Sequence, residues 1–309
     1  MRPTISAPAA GDTLTGMGKK SKKSKEDLIA KRLAKQQAAG FVKRPFEGLP
    51  FEADLVCLRE LVPAATATAK LTEEYGGDEI VIASLLPAAW QALHRQDGVI
   101  MAGMQVPVAS PDPSRDIAAA ILKVKDAEPG TYAEANANPG SGPRLQDILD
   151  TSAPLSVSVQ ETFDYWLADD PEHRDEDLAG ALEQANESIS PTEKLVSADS
   201  AYWTEMGGHI YLRWAQMADE DTVMNGLARL HARGENTVSG LGRYLGCFRA
   251  HGIVIPVWEL PDGTQPDAVE EPLGKFAKKL DAAMNESGNL DYDERRAKAG
   301  VVSRQLTIR

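Results

Sequence analysis

Cysteine is scarce: the 309 residues hold only Cys57 and Cys247. Two thiols cannot make a disulfide framework, and the default is a reduced, cytoplasmic chain. Long apolar runs are missing as well. None approaches the ~20 residues that span a bilayer, and no apolar segment follows the N-terminal basic cluster, which excludes a secretory signal. No membrane partner is expected. There is no Walker A loop, no G-x-S-x-G elbow and no EF-hand alternation with its central Gly. These absences argue against P-loop nucleotide chemistry, serine acyl transfer of the hydrolase type and EF-hand calcium binding. Gly240-x-Gly242-x-x-x-Gly246 is not a dinucleotide fingerprint, because no strand precedes it and the third spacing is wrong; these glycines read as close helix packing. Cys247 and His251, four apart on an expected helix, offer two ligands where zinc needs three or four. His209 and His231 complete no standard pattern. No metal and no cofactor are therefore implied.

What is present is a soluble globular composition, 42% apolar and 26% charged, with length for roughly two domains of ~150 residues. Charge is distributed unevenly. Met17 to Arg44 carries ten Lys/Arg against Glu26 and Asp27, a net of +8, so the overall −13 leaves −21 on residues 45–309. Residues 1–43 read as a basic arm, disordered at first and then helical, and Met17 is a conceivable native start. The residues of the arm that would meet a polyanion are Lys19, Lys20, Lys22, Lys23, Lys25, Lys31, Arg32 and Lys35. Clusters of this kind displace counterions from nucleic acid.

The body reads as α+β: two tandem modules, 44–170 and 171–309, each a small, mainly antiparallel meander sheet with helices on one face. In the first, a helix from Asp54 to Leu61, capped by Asp54, precedes strands at Ala67–Leu71, Glu79–Leu86 and Val99–Val106. Trp90–His94 reads as a helical turn. A helix over Ser114–Asp126, capped by Ser114, a short helix at Leu145–Leu149 and a long strand over Leu155–Leu167 follow. The second module repeats this order, with strands Ser200–Met206 and His209–Gln216, a helix over Asp221–Arg233 and another over Glu271–Met284. Leu241, Tyr244, Leu245 and Phe248 lie at helical spacing, so Gly240–His251 is expected to be a helix ended by Gly252 in the left-handed C′ position. The apolar run IVIPVW then reads as a buried strand. Val301–Ile308 is expected to be a C-terminal strand, and Asp169–Asp177 a solvated acidic loop leading into a helix.

The second module also collects arginines: Arg213, Arg229, Arg233, Arg243 and Arg249, together with His231 and His251. The plain reading is that they pair with the body's many carboxylates at the surface, each pair worth ~0–1 kcal/mol. The sharper reading is a groove for an anionic ligand or a carboxylate-bearing chain, lined by Arg213, Arg243, Arg249 and His251.

The segments RPFEGLPFEADLVCLRELVPAATA (44–67), GPRLQDILD (142–150), ADSAYW (198–203), FRAHGIVIPVWELPDG (248–263) and ERRAKAGVVSRQLTIR (294–309) resemble an actinobacterial family, the domain-of-unknown-function 5926 family. The resemblance runs from about residue 44 to the end. Similar sequences that carry a SEC-C zinc motif upstream are often labelled preprotein translocase SecA. Residues 1–43 contain no Cys or His, so that motif is absent, and so is SecA's Walker motif. The resemblance implies no catalytic residue. The sequence thus favours a non-enzymatic adaptor: an acidic body that docks a protein, with a basic arm touching RNA, the ribosome or another polyanion. The alternative is an enzyme or small anionic-ligand binder with an Arg/His-lined pocket between the modules. A homodimer through an exposed strand edge is a third reading.

Overall fold

The centre of the molecule is a strand whose side chains alternate between two cores. In β11 (Ile253–Leu260), Ile253, Ile255 and Val257 enter one apolar cluster, while Val254, Trp258 and Leu260 enter another. A strand buried on both faces should be a nearly continuous apolar run, and from Ile253 to Trp258 this one is. The computed structural model describes residues 40–136, 140–152, 154–167 and 176–303. Val42–Arg309 forms one compact unit.

The first sheet contains β1 (Ala65–Lys70), β2 (Glu79–Ala83), β3 (Ala92–His94), β4 (Ile100–Gly103), β5 (Tyr132–Ala133) and β6 (Ser156–Val159), in the order β5-β3-β4-β2-β1-β6. The second contains β7 (Thr192–Leu195), β8 (Ala201–Met206), β9 (His209–Trp214), β10 (Arg243–Ala250) and β11, in the order β10-β11-β9-β8-β7. All pairs are antiparallel except β2 with β4. The architecture is α+β with two mainly antiparallel sheets in succession, as the element order leads one to expect. The strand pairing differs between them: the last strand of the first sheet, β6, lies beside β1, whereas β11 lies beside β9. The likeness in element order between the halves does not extend to pairing.

Helix α1 (Glu52–Glu60) joins the two sheets. Leu55, Val56, Cys57 and Leu58 are all fully buried, in one cluster with Ala67, Ile80 and Ile82 of the first sheet and Tyr202, Phe248 and Ile255 of the second. A helix buried around most of its circumference belongs in a core. Helix α2 (Pro113–Lys125) joins the same core through Ile117, Ile121 and Val124. Helix α3 (Leu145–Ile148) is the expected short turn. Helix α4 (Glu176–Asn186) contributes Leu182 to a small cluster behind the first sheet, with Phe163 and Trp166. On the outer face of the second sheet lie α5 (Glu220–Ala232) and α6 (Pro266–Asn285), with Val223, Leu227, Leu273 and Phe276 around Trp258. These two helices are tightly packed at Gly226, where a Cβ would stand 2.6 Å from Met284 Cγ and 3.2 Å from its backbone nitrogen.

Several local expectations are corrected. Arg243–Ala250 is strand β10, not helix. Its register slips between Tyr244 and Gly246. This bulge puts Leu245 and Phe248 against one core and Tyr244 and Cys247 in the other, a spacing of three that imitates a helix. Gly252 does have positive φ (+86), but beside His251 (+46) it forms the two-residue turn of the β10–β11 hairpin rather than a helix cap. Trp90–His94 leads into β3, Leu155–Leu167 is a strand only over Ser156–Val159, and Val301 lies in helix α7 (Tyr292–Ser303). Asp112, not Ser114, caps α2, accepting from the Arg115 amide. Ser114 is buried and its hydroxyl donates to Gln146. Asp54 does not cap α1; its carboxylate accepts from Lys194 and Ser200 of the second half. Residues 1–39 of the basic arm, the acidic stretch 169–175 and residues 304–309 lie outside the described residues.

Candidate functional site: a cavity at the seam of the two sheets

Where α1 ends, the chain cannot close the space between the sheets. Pro63 follows Leu61 closely and cannot continue a helix. The end of the helix and the inner face of the second sheet therefore flank a half-open cavity of about 500 Å³. This lies within the range of small-molecule sites. One wall comes from Arg59, Glu60, Leu61 and Pro63, with Gln105 after β4. The other comes from Thr204, Met206, Tyr211, Arg213, Leu245, Phe248 and Val257, with Ser190 at the margin. Most of this lining is apolar. The bulge in β10 places Leu245 on this face, next to Phe248.

Arg213 is the outstanding group. It lies on β9 opposite Val257, and strand alternation turns it to the inner face while Leu212 and Trp214 face the outer core. One guanidinium nitrogen, Nη2, donates to the Leu61 carbonyl at 3.0 Å. Its Nε is buried with no acceptor among the described residues, and no carboxylate among them pairs with it. Burial pushes its pKa down to about 10. A guanidinium has five N–H donors, so this one is short of acceptors and of negative charge.

Arg59 is held differently. It donates to the Met104 carbonyl, its Nε lies 3.1 Å from His251 Nε2, and Glu60 is 3.7 Å away. Burial lowers its pKa, and Glu60 and Asp116 partly offset that. His251 Nε2 is 2.7 Å from Glu60 Oε1. That nitrogen either donates to Glu60 or accepts from Arg59. The hairpin tip of the second sheet is thus fastened to the end of α1, and the Arg59–Glu60 charges balance locally. Gln105 spans the same junction, donating to the carbonyls of Leu58 and Val62.

Of the four residues that the sequence singled out, Arg213 lines the cavity and His251 stands behind it, bonded to two lining side chains. Arg243 pairs with Glu259 on the surface, and Arg249 pairs with Glu220 at 2.6 Å. Arg233 likewise pairs with Glu286, while Arg229 donates to the Ala283 and Gly288 carbonyls. Sequence reasoning missed Arg59, Glu60 and Gln105. Adjacent charges within LVCLRELV were the available signal for the first two; Gln105 gave none. Both thiols are fully buried, and burial raises their pKa values, so neither is an activated nucleophile. Among the described residues no group of three or more His, Cys, Asp or Glu could hold a metal ion, and no helix is long and apolar enough to cross a membrane.

Fold and cavity together define a two-sheet α+β protein with a ligand-sized chamber at its seam and a cation short of partners in the wall. A family model covers nearly all of this body: the chain belongs to a family of unknown function (DUF5926), matched over residues 45–309. No curated protein and no solved structure matches the chain.

Proposed function

We propose that this protein binds a small anionic molecule in the seam cavity, with Arg213 as the charge that receives it. The observation that supports this is a half-buried guanidinium in the wall of a cavity of about 500 Å³, with no carboxylate partner among the described residues. Taking much of the water from a cation without supplying a counter-charge is costly, and an anion entering the cavity would offset that cost. His251, Glu60 and Arg59 act as positioning residues that clamp α1 to the β10–β11 turn and hold the mouth in shape. The test is thermal unfolding of the full chain and of Arg213→Met against a panel of small organic and inorganic anions. An anion that raises the wild-type midpoint in a saturable manner, but leaves the variant unmoved, supports the reading. A panel that stabilises both proteins equally, or neither, ends it.

A second reading is favoured by charge: +8 between residues 17 and 44, beside −21 on the rest. In this reading the protein is a cytoplasmic adaptor whose arm (Lys19, Lys20, Lys22, Lys23, Lys25, Lys31, Arg32 and Lys35) contacts RNA, the ribosome or another polyanion, while the body meets a protein. Binding to ribosomes or RNA is then measured across a salt series, with and without residues 1–43. Loss of a salt-dependent component on truncation is expected; equal binding by the two forms removes the arm from the account.

A further inference from the structure

We infer that the ligand of the seam cavity is an amphiphilic monocarboxylate, a carboxylate head with an apolar tail, rather than a phosphate or a polyanion. This rests on the anion-binding reading above and narrows it.

Three features carry it. The first is the charge available. Arg59 already has Glu60 at 3.7 Å, so Arg213 is the lining cation left over, and one unmatched positive charge suits one negative charge. A polyphosphate or tricarboxylate would bring charges that no described lining group neutralises, and Glu60 would repel them. The second is the shape of the donor. A guanidinium is a planar fork, and its parallel N–H groups match the two oxygens of a carboxylate. Nη2 is already directed to the Leu61 carbonyl, which fixes the plane of the fork. The third is the remainder of the wall. Leu61, Pro63, Met206, Leu245, Phe248 and Val257 make a continuous apolar lining. A compact hydrophilic anion would leave that surface wet, whereas an alkyl or aryl tail removes it from water. A tail on such a wall gains affinity about fourfold for each methylene it buries, until the chamber is full. With about 500 Å³ the cavity has room for an alkyl tail along this wall.

The head lies at Arg213 and the tail runs along β10 and β11. Leu245 is in place only because of the bulge between Tyr244 and Gly246, so the irregularity in β10 completes the apolar wall on the inner face of the second sheet.

The experiment is calorimetric titration of the full chain with straight-chain monocarboxylates from butyrate to decanoate, kept below micelle-forming concentrations. Octanol, citrate and inorganic phosphate are run beside them. The expected result is one saturable site, with affinity rising about fourfold per methylene to a plateau. Octanol should bind at least tenfold more weakly than octanoate. Arg213→Met should lose at least tenfold for octanoate while keeping its circular dichroism. A second variant, Leu245→Asn, changes the wall and not the charge; it should weaken octanoate more than butyrate. If citrate or phosphate binds through Arg213 and chain length brings no gain, the amphiphile is wrong and the anion site stands. If octanol binds as well as octanoate, the charge has no role and both fall. If no compound in the panel binds, both readings fall together.

Discussion

Arg213→Met should make the unliganded protein more stable, an unusual outcome for a change at a half-buried position. Its guanidinium pKa is pushed down to about 10 on folding. At about 1.4 kcal/mol per pKa unit, holding this charge in the fold costs on the order of 3 kcal/mol. The group is a base with a depressed pKa, so the unfolded chain binds its proton more tightly. The cost is therefore present at every pH below about 10 and is relieved only as pH rises past that value. Methionine keeps most of the apolar stem and fills irregular space. It leaves the Leu61 carbonyl without its 3.0 Å donor, a loss of about 1 kcal/mol. The net expectation is a gain of roughly 1–2 kcal/mol, or a midpoint higher by about 2–8 °C. Urea unfolding at pH 7 provides the measurement, with an unchanged m value required for the comparison. Arg213→Lys keeps a charge and loses the fork, and should bring no gain. A variant less stable than wild type by more than about 1 kcal/mol would mean that the native guanidinium is well compensated. The argument for an anion site would then lose its foundation. Saturating ligand should reverse the order of stability, as expected where a binding site is held at the expense of the fold.

Other outcomes can be checked on the same preparation. Glu52 is 1% exposed and its carboxylate takes two bonds from Arg44, at 2.6 and 2.9 Å; Arg44→Met should cost about 3 kcal/mol by stranding that charge, and Arg44→Met/Glu52→Leu should recover most of it in a double-mutant cycle. Asp116 has its pKa pushed up, mainly by burial, from 3.8 to about 6, so its contribution to stability is present below pH 3.8 and is lost as pH rises through 6. Asp116→Asn should flatten the pH dependence of urea midpoints across that window and stabilise the protein at pH 7 by at most about 3 kcal/mol. Gly226→Ala forces a methyl against the Met284 backbone between α5 and α6; a loss of about 1–3 kcal/mol in chemical denaturation is expected, and a neutral result would mean that these helices can move apart.

The sequence by itself determined the α+β class, most strands and the long helices, because these depend on local signals. The alternation in β9, the stripe in α2 and α5, and the Gly-Gly turns at 76–77 and 207–208 can be read without knowing what they face. It failed where burial on both sides combined with an irregularity. In β10 the bulge spaced the apolar residues by three, and periodicity alone cannot tell such a strand from a helix. Likewise Gly252 announced a positive φ but not whether a hairpin or a helix end required it. Of the four residues proposed for the site, Arg213 reached the cavity, and Arg243 and Arg249 went to Glu259 and Glu220. Pairing across tens of residues decides which arginine keeps a partner, and composition cannot. Only the tertiary structure placed α1 between the two sheets, brought Arg59 and Glu60 to His251 about 190 residues away, and left Arg213 with no carboxylate partner among the described residues. A charge becomes a site when folding takes much of its water and supplies no counter-ion, and that depends on the packing of distant segments.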